Sequence, residues 1–242
     1  FRRFDTFIAQ LPAGAQFFAL LHANPGLLAL LADIMGSAPR LAERLARRPI
    51  LFDTVLAPGF TRPTPERDAL AAELDAAVAA AGNYEETLDA ARRWAQDRRF
   101  QSGVQFLRGI VDAGAAGIAL SDIADAVIAR LLPATEAEFA RQHGRIPGAA
   151  FAVLPLGKLG GRELSATSDL DLVFIYEAPA GVEQSRGAKP LAVSHYYARF
   201  APRLLNALAA PTAEGDLYHI DLRLRPAGNK GPLASSVQAF QQ

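Results

Sequence analysis

Two aspartates two residues apart, Asp169 and Asp171, stand at the head of the apolar run Leu170-Asp171-Leu172-Val173-Phe174-Ile175-Tyr176. The Val, Ile, Phe and Tyr content predicts a strand over 170–176. Strand alternation sends both carboxylates to one face and Leu170, Leu172 and Phe174 to the other. Two acids so close repel each other, and a hard divalent cation relieves that repulsion, with Mg²⁺ the natural choice. The same spacing also suits a solvated acid pair at a strand edge. Further along, His219-Ile220-Asp221-Leu222-Arg223-Leu224-Arg225 predicts a third strand over 217–224. It would carry Asp221, Arg223 and Arg225 on one face with His219, and Ile220, Leu222 and Leu224 behind. The acid could complete a metal site and the arginines could hold phosphate oxygens; a salt-bridged ladder is the competing reading.

Ahead of the Asp-x-Asp lies Gly160-Gly161, followed by Ser168 at the foot of the strand. Two residues without side chains let backbone N–H groups approach a phosphate, and a short helix expected at 162–166 would add its positive end. A plain Gly-Gly turn is the alternative. Lys158 precedes the pair and no Gly-Lys-Ser/Thr follows it, so this is not a Walker A loop. Lys230 sits in a Gly- and Pro-rich turn over 226–232, where it could reach phosphate or merely solvate the loop.

Elements must hold these residues in place. Residues 1–147 read as closely spaced helices. The first covers 14–23; Asn24 caps a second with Pro25 in its first turn, and Pro39 and Pro49 open two more. Thr64 and Pro65 open a helix ending near Gly82, and Asn83 with Glu85 and Glu86 caps a long one reaching Leu107, with Trp94 as a core anchor. A last helix starts at Ser121 and should kink or restart at Pro133. Arg92-Arg93 and Arg98-Arg99 read as a solvated helix face. Residues 144–148 are a linker, and beyond it the pattern becomes α/β, with strands at 149–156, 170–176 and 217–224 and a helix at 194–209. Two regions follow, a helical one over 1–147 and a catalytic α/β one over 148–242.

The chain has 242 residues, half of them apolar, enough for a real core. Its 25 basic and 25 acidic residues balance, which argues against a nucleic-acid surface. All the basic residues are arginine except Lys158, Lys189 and Lys230. Without cysteine, disulfides, thiolate zinc sites and thiol catalysis are excluded, and the scattered His22, His143, His195 and His219 offer no paired metal ligands. No apolar run approaches the roughly 18 residues of a membrane span, and no signal-peptide pattern opens the chain, so a cytoplasmic location is expected. Phe1 at one end and Phe240-Gln241-Gln242 at the other suggest a segment of a longer protein.

The Gly pair, the spacer over 162–168, the Asp-x-Asp and a distant acid on a later strand together resemble the DNA polymerase β-like nucleotidyltransferase superfamily. Within it, 157–164, 168–172 and Asp221-Leu222-Arg223-Leu224-Arg225-Pro226 with Gly228 and Gly231-Pro232 resemble the glutamine synthetase adenylyltransferase family. The resemblance covers about 150–242, and Leu156 departs from the Met or Tyr expected before Gly157. It implies a multidomain α+β architecture in which a helical region precedes a polymerase β-like catalytic domain with a small mixed sheet. It also implies two Mg²⁺ ions on Asp169, Asp171 and Asp221, ATP as substrate, and phosphate contacts from Gly160, Gly161, Ser168, Arg223, Arg225 and Lys230. AMP would pass to a tyrosine of glutamine synthetase, under control of the PII signal protein and glutamine. The helices before residue 57 resemble those preceding the adenylylating half, which favours that half over the phosphorolytic, AMP-removing one. Transfer to RNA or a small molecule, and a non-catalytic module, are the remaining alternatives.

Overall fold

The computed structural model describes residues 14–47, 51, 55, 60–224 and 231–241. Helices α1 (Gly14–Ala23), α2 (Pro25–Ser37) and α3 (Pro39–Arg47) follow in quick succession. Pro25 occupies the first turn of α2, where its missing N–H costs no hydrogen bond. Leu27, Leu30, Leu31 and Ile34 of α2 join Leu41 and Leu45 of α3 in a cluster with Phe100 and Val104. The helix expected after Pro49 lies largely outside the described residues.

Helix α4 (Arg67–Val78) starts later than Thr64 and Pro65 suggest. The preceding chain is held instead by glutamines of the next helix: Gln105 Nε2 donates to the carbonyls of Phe60 at 2.6 Å and Arg62 at 2.7 Å. Helix α5 (Tyr84–Leu107) begins at the expected cap, with the Asn83 side chain accepting from Glu86 N–H at 2.9 Å and donating to Glu86 Oε1 at 2.7 Å. Trp94 lies in the core as expected.

Helix α6 (Ala113–His143) corrects the expectation of a start at Ser121. Asp112 caps it by accepting from Ala115 N–H at 2.8 Å, and Gly114 and Gly117, which resemble breakers, lie inside the first turns. Gly117 is there for space: a Cβ would sit 3.2 Å from Glu163 Cα. The helix also runs unbroken through Pro133. A 31-residue helix packed along α4, α5 and the later helix over 193–209 outweighs the hydrogen bond that one proline removes.

Strand β1 (Ala150–Pro155) pairs antiparallel with β2 (Leu170–Glu177). On its other edge β2 pairs in parallel with β3 (Ile220–Asp221) and, further along, with β4 (Ala234–Ser236), making a small mixed sheet. A four-residue helix α7 (Gly157–Gly160) follows β1, α8 (Val193–Ala209) precedes β3, and α9 (Val237–Phe240) follows β4. Tyr197 of α8 stacks on Phe151 at 5.7 Å and on Tyr176 at 4.2 Å, so the helix covers one face of the sheet. Phe139 of α6 meets Tyr196 edge-on at 4.9 Å. One apolar core therefore runs from Leu70 and Leu131 through Phe139 to Leu172 and Phe174, continuous between the helical region and the sheet.

Candidate active site

The central strand positions the acids. Leu170, Leu172 and Phe174 are wholly buried, which turns Asp171 to the opposite face. Asp169 lies one residue before β2 and is exposed. In the parallel pairing of β2 with β3, Asp171 stands directly beside Asp221, and His219 O accepts from Leu170 N–H at 2.9 Å to fix that register. Both carboxylates are half-buried. Among the described residues, no three His, Asp or Glu side chains converge into a ready-made ion cage.

The third strand is shorter than its alternation suggests. Pairing ends at Asp221, and the chain turns because the Asp221 carboxylate accepts the backbone N–H of Arg223 at 2.8 Å. The Arg223 side chain then folds back, donating from Nε to Asp221 Oδ2 at 2.7 Å. That hydrogen-bonded guanidinium holds the Asp221 carboxyl below the usual carboxylate range. Asp221, and to a lesser degree Asp171 and Asp169, raise the Arg223 guanidinium in turn, so Arg223 feels all three acids. Arg225 and Lys230 lie outside the described residues.

The glycine loop differs most from its sequence reading. The short helix, α7, runs into the Gly pair and ends with Gly160, and residues 162–166 form no helix. Gly160 N–H donates to Leu156 O at 3.0 Å and Gly161 N–H to Gly157 O at 2.9 Å, so both amides close turns of α7. Gly160 is needed for space, since a Cβ would lie 2.7 Å from Pro155 O. Gly157, which sequence reasoning did not single out, is needed more: at φ +50° its Cβ would lie 2.2 Å from Asp171 Oδ2. Ser168 is engaged in a hydroxyl turn, its Oγ accepting from Ser165 N–H at 3.0 Å.

Helix α5 holds the segment leading into β3. Arg92, fully buried, donates to the carbonyls of Ala207 at 3.1 Å and Ala210 at 2.8 Å. Gln96 reaches Glu214 O at 2.8 Å and Asp216 O at 3.1 Å, and Arg99 reaches Leu217 O at 2.6 Å with its guanidinium over the Tyr218 ring. Arg93 pairs with Glu214 at 2.8 Å and Arg98 with Glu73 at 2.6 Å. Arg92, Gln96 and Arg99 thus form an inward polar seam in place of the expected solvated face, while the Arg93 side chain, 44% exposed, stays on that face. Backbone carbonyls in the last turn of α8 and in the irregular segment beyond it need donors, and long arginine and glutamine side chains supply them. Beside this seam opens a cleft of about 510 Å³ whose lining includes Arg44, Arg99, Tyr218, Ser168 and His219, the last two close in sequence to Asp169 and Asp221.

A small mixed sheet covered by helices and joined to a larger helical region is the architecture of a nucleotidyltransferase α/β unit. The chain belongs to the glutamate-ammonia ligase adenylyltransferase family, whose model matches residues 28–242. It is 51% identical over 240 residues to a bifunctional glutamine synthetase adenylyltransferase/adenylyl-removing enzyme of Mesorhizobium japonicum. It is 49% identical over 239 residues to the enzyme of that name from Brucella suis, and 48% over 240 residues to that from Rhizobium meliloti. Each match covers 99% of this chain and 24% of the relative, so the chain spans about a quarter of their length. Among the described residues, no helix is long and apolar enough to cross a membrane.

Proposed function

We propose that this chain transfers AMP from ATP to a tyrosine hydroxyl of glutamine synthetase, releasing pyrophosphate, as part of the control of nitrogen assimilation. The observation that carries this reading is the side-by-side register of Asp171 and Asp221, with Asp169 two residues ahead, in a member of this family. The set is all carboxylate oxygen, the donor chemistry that Mg²⁺ takes, and it fits that ion. Asp169 and Asp171 would hold two Mg²⁺, with Asp221 completing one site. When bound, these ions supply charge stabilisation to the attacking and leaving oxygens of an in-line displacement.

The chain's own residues do the rest. The tyrosine oxygen forms its bond to the α-phosphorus while the bond from that phosphorus to the bridging oxygen of pyrophosphate breaks. Asp221 accepts the hydroxyl proton. Arg223, which holds Asp221 in this arrangement, would swing to the leaving pyrophosphate as charge develops there. Gly160, Gly161 and Ser168 would line the β- and γ-phosphates, and Arg225 and Lys230 would add cationic contacts. The PII signal protein and glutamine are effectors of the whole protein in this reading, acting in the cytoplasm.

The relatives' names include adenylyl removal, which is the phosphorolytic reverse using orthophosphate and releasing ADP. One experiment separates the directions. Unmodified glutamine synthetase is incubated with the protein and MgATP, and its intact mass is measured. A gain of one AMP per subunit is expected; no gain, with AMP lost from modified substrate in phosphate, would assign the removing activity instead.

A further inference from the structure

Helix α7 ends in a tight reversal in which Arg162 N–H donates to Leu159 O at 3.1 Å and Glu163 N–H to Lys158 O at 2.7 Å. These two bonds make a Schellman turn, which requires a left-handed residue at the position Arg162 fills; glycine is its usual occupant. Arg162 has φ +58° and, among the described residues, is the one non-glycine with positive φ. Two glycines stand immediately before it, yet both take right-handed or helical conformations. The strained position therefore went to an arginine although glycine lay next door.

The side chain supplies the reason. Its Nη2 meets Asp122 Oδ1 at 2.5 Å and its Nη1 lies 3.5 Å from Asp125 Oδ2, both acids on helix α6. Arg67 of α4 also approaches Asp125, at 3.6 Å. One turn earlier on α6, Gly117 lets the backbone of 162–163 lie against the helix. Asp122 is buried and burial raises the Asp125 carboxyl, so these acids need a cation in reach. At the other end of the same seven residues, Gly157 abuts the Asp171 carboxylate. The turn over 157–163 is thus clamped to α6 at one end and touches the candidate site at the other.

We propose that Arg162 is a positioning residue that, through Asp122 and Asp125, fixes the 157–163 turn on helix α6 and so pre-forms the nucleotide side of the site beside Asp171. The inference rests on the AMP-transfer reading and deepens it. Arg162 touches no reacting group. Without the clamp, nucleotide binding must order the turn, and that cost falls equally on ground and transition states, raising KM and sparing kcat.

Arg162→Gly tests this cleanly, because the backbone accepts glycine at positive φ and only the ion pairs are lost. Amide hydrogen exchange over 157–163 should speed up about tenfold or more. KM for MgATP should rise about tenfold with kcat within about threefold of wild type. The Asp122→Asn/Asp125→Asn double variant should reproduce the KM change, and Arg162→Lys should restore part of the affinity. Exchange and KM at wild-type values in Arg162→Gly would overturn the proposal, as would a kcat loss at constant KM. If wild type transfers no AMP at all, the functional reading fails, while the exchange comparison still decides whether the clamp exists.

Discussion

Gly157 and Asp171 are packed so closely that a Cβ on Gly157 would lie 2.2 Å from Oδ2 and 3.0 Å from Cγ of the aspartate. The contact ties the start of the glycine loop to the acid at the centre of the sheet. Leu156 N–H donates to Asp171 O at 2.9 Å, so the backbone ties the residue just before Gly157 to the same aspartate. Gly157→Ala must displace the carboxylate and adopt a left-handed φ. An AMP-transfer rate reduced about a hundredfold is expected, with a backbone cost of about 1 kcal/mol seen in denaturant unfolding. Wild-type rates in Gly157→Ala would show that the carboxylate position does not matter.

Gly160 and Gly161 should behave differently although they are adjacent. A Cβ on Gly160 meets the Pro155 carbonyl at 2.7 Å, while one on Gly161 finds its nearest neighbour at 3.4 Å. Gly160→Ala should lose about 1–3 kcal/mol of stability from the forced shift. Gly161→Ala, with φ −78°, should be stability-neutral within about 0.5 kcal/mol and raise KM for MgATP if phosphate packs there. Equal stability losses in the two variants would contradict the geometry.

The polar seam of α5 gives a third expectation. Gln96→Leu leaves the carbonyls of Glu214 and Asp216 without their donor, and Arg99→Leu does the same to Leu217. Each should cost about 1–3 kcal/mol in urea unfolding. Each should also slow AMP transfer more than stability loss accounts for, since the segment leads directly into Asp221.

Alkaline pH offers a check on the aromatic cover of the sheet. Burial pushes the Tyr196 hydroxyl up to about 12, and Tyr197 is also raised, chiefly by burial. In the unfolded chain these groups lose protons near pH 10. Between there and the raised folded values the unfolded state binds fewer protons, so stability falls as pH rises. The urea midpoint should be lower at pH 11 than at pH 9, and Tyr197→Phe should shrink the difference.

Local patterns in the sequence expose much of this architecture, and the parts they hide are those decided by distant contacts. The Asn83 cap, Pro25 in the first turn of α2 and the apolar alternation of β2 follow from residues close in sequence, whereas the register that sets Asp171 beside Asp221, fifty residues on, is decided by the sheet. The start of α6 is not local either, because Gly114 and Gly117 look like breakers until the 162–163 backbone is seen against Gly117. The arginines of α5 carry no local sign that irregular carbonyls more than a hundred residues away need them. The sequence leaves Arg223 open between phosphate binding and a salt bridge to the nearby acid; the turn that folds it onto Asp221 depends on where pairing with β2 stops. Gly157 could have been found from its place before Lys158 only by knowing that Asp171 would lie against it.

In the proposed reaction AMP transfer depends on the Asp171 carboxylate, so the rate of the Asp171→Asn variant is decisive. The substitution keeps shape and removes the charge, on a side chain whose neighbours β1 and β3 hold the backbone in register. A fall of roughly a thousandfold or more in transfer to glutamine synthetase, with unfolding midpoint and circular dichroism unchanged, is the expected result. A folded Asp171→Asn protein that transfers AMP at near wild-type rate would exclude Asp171 from the reaction.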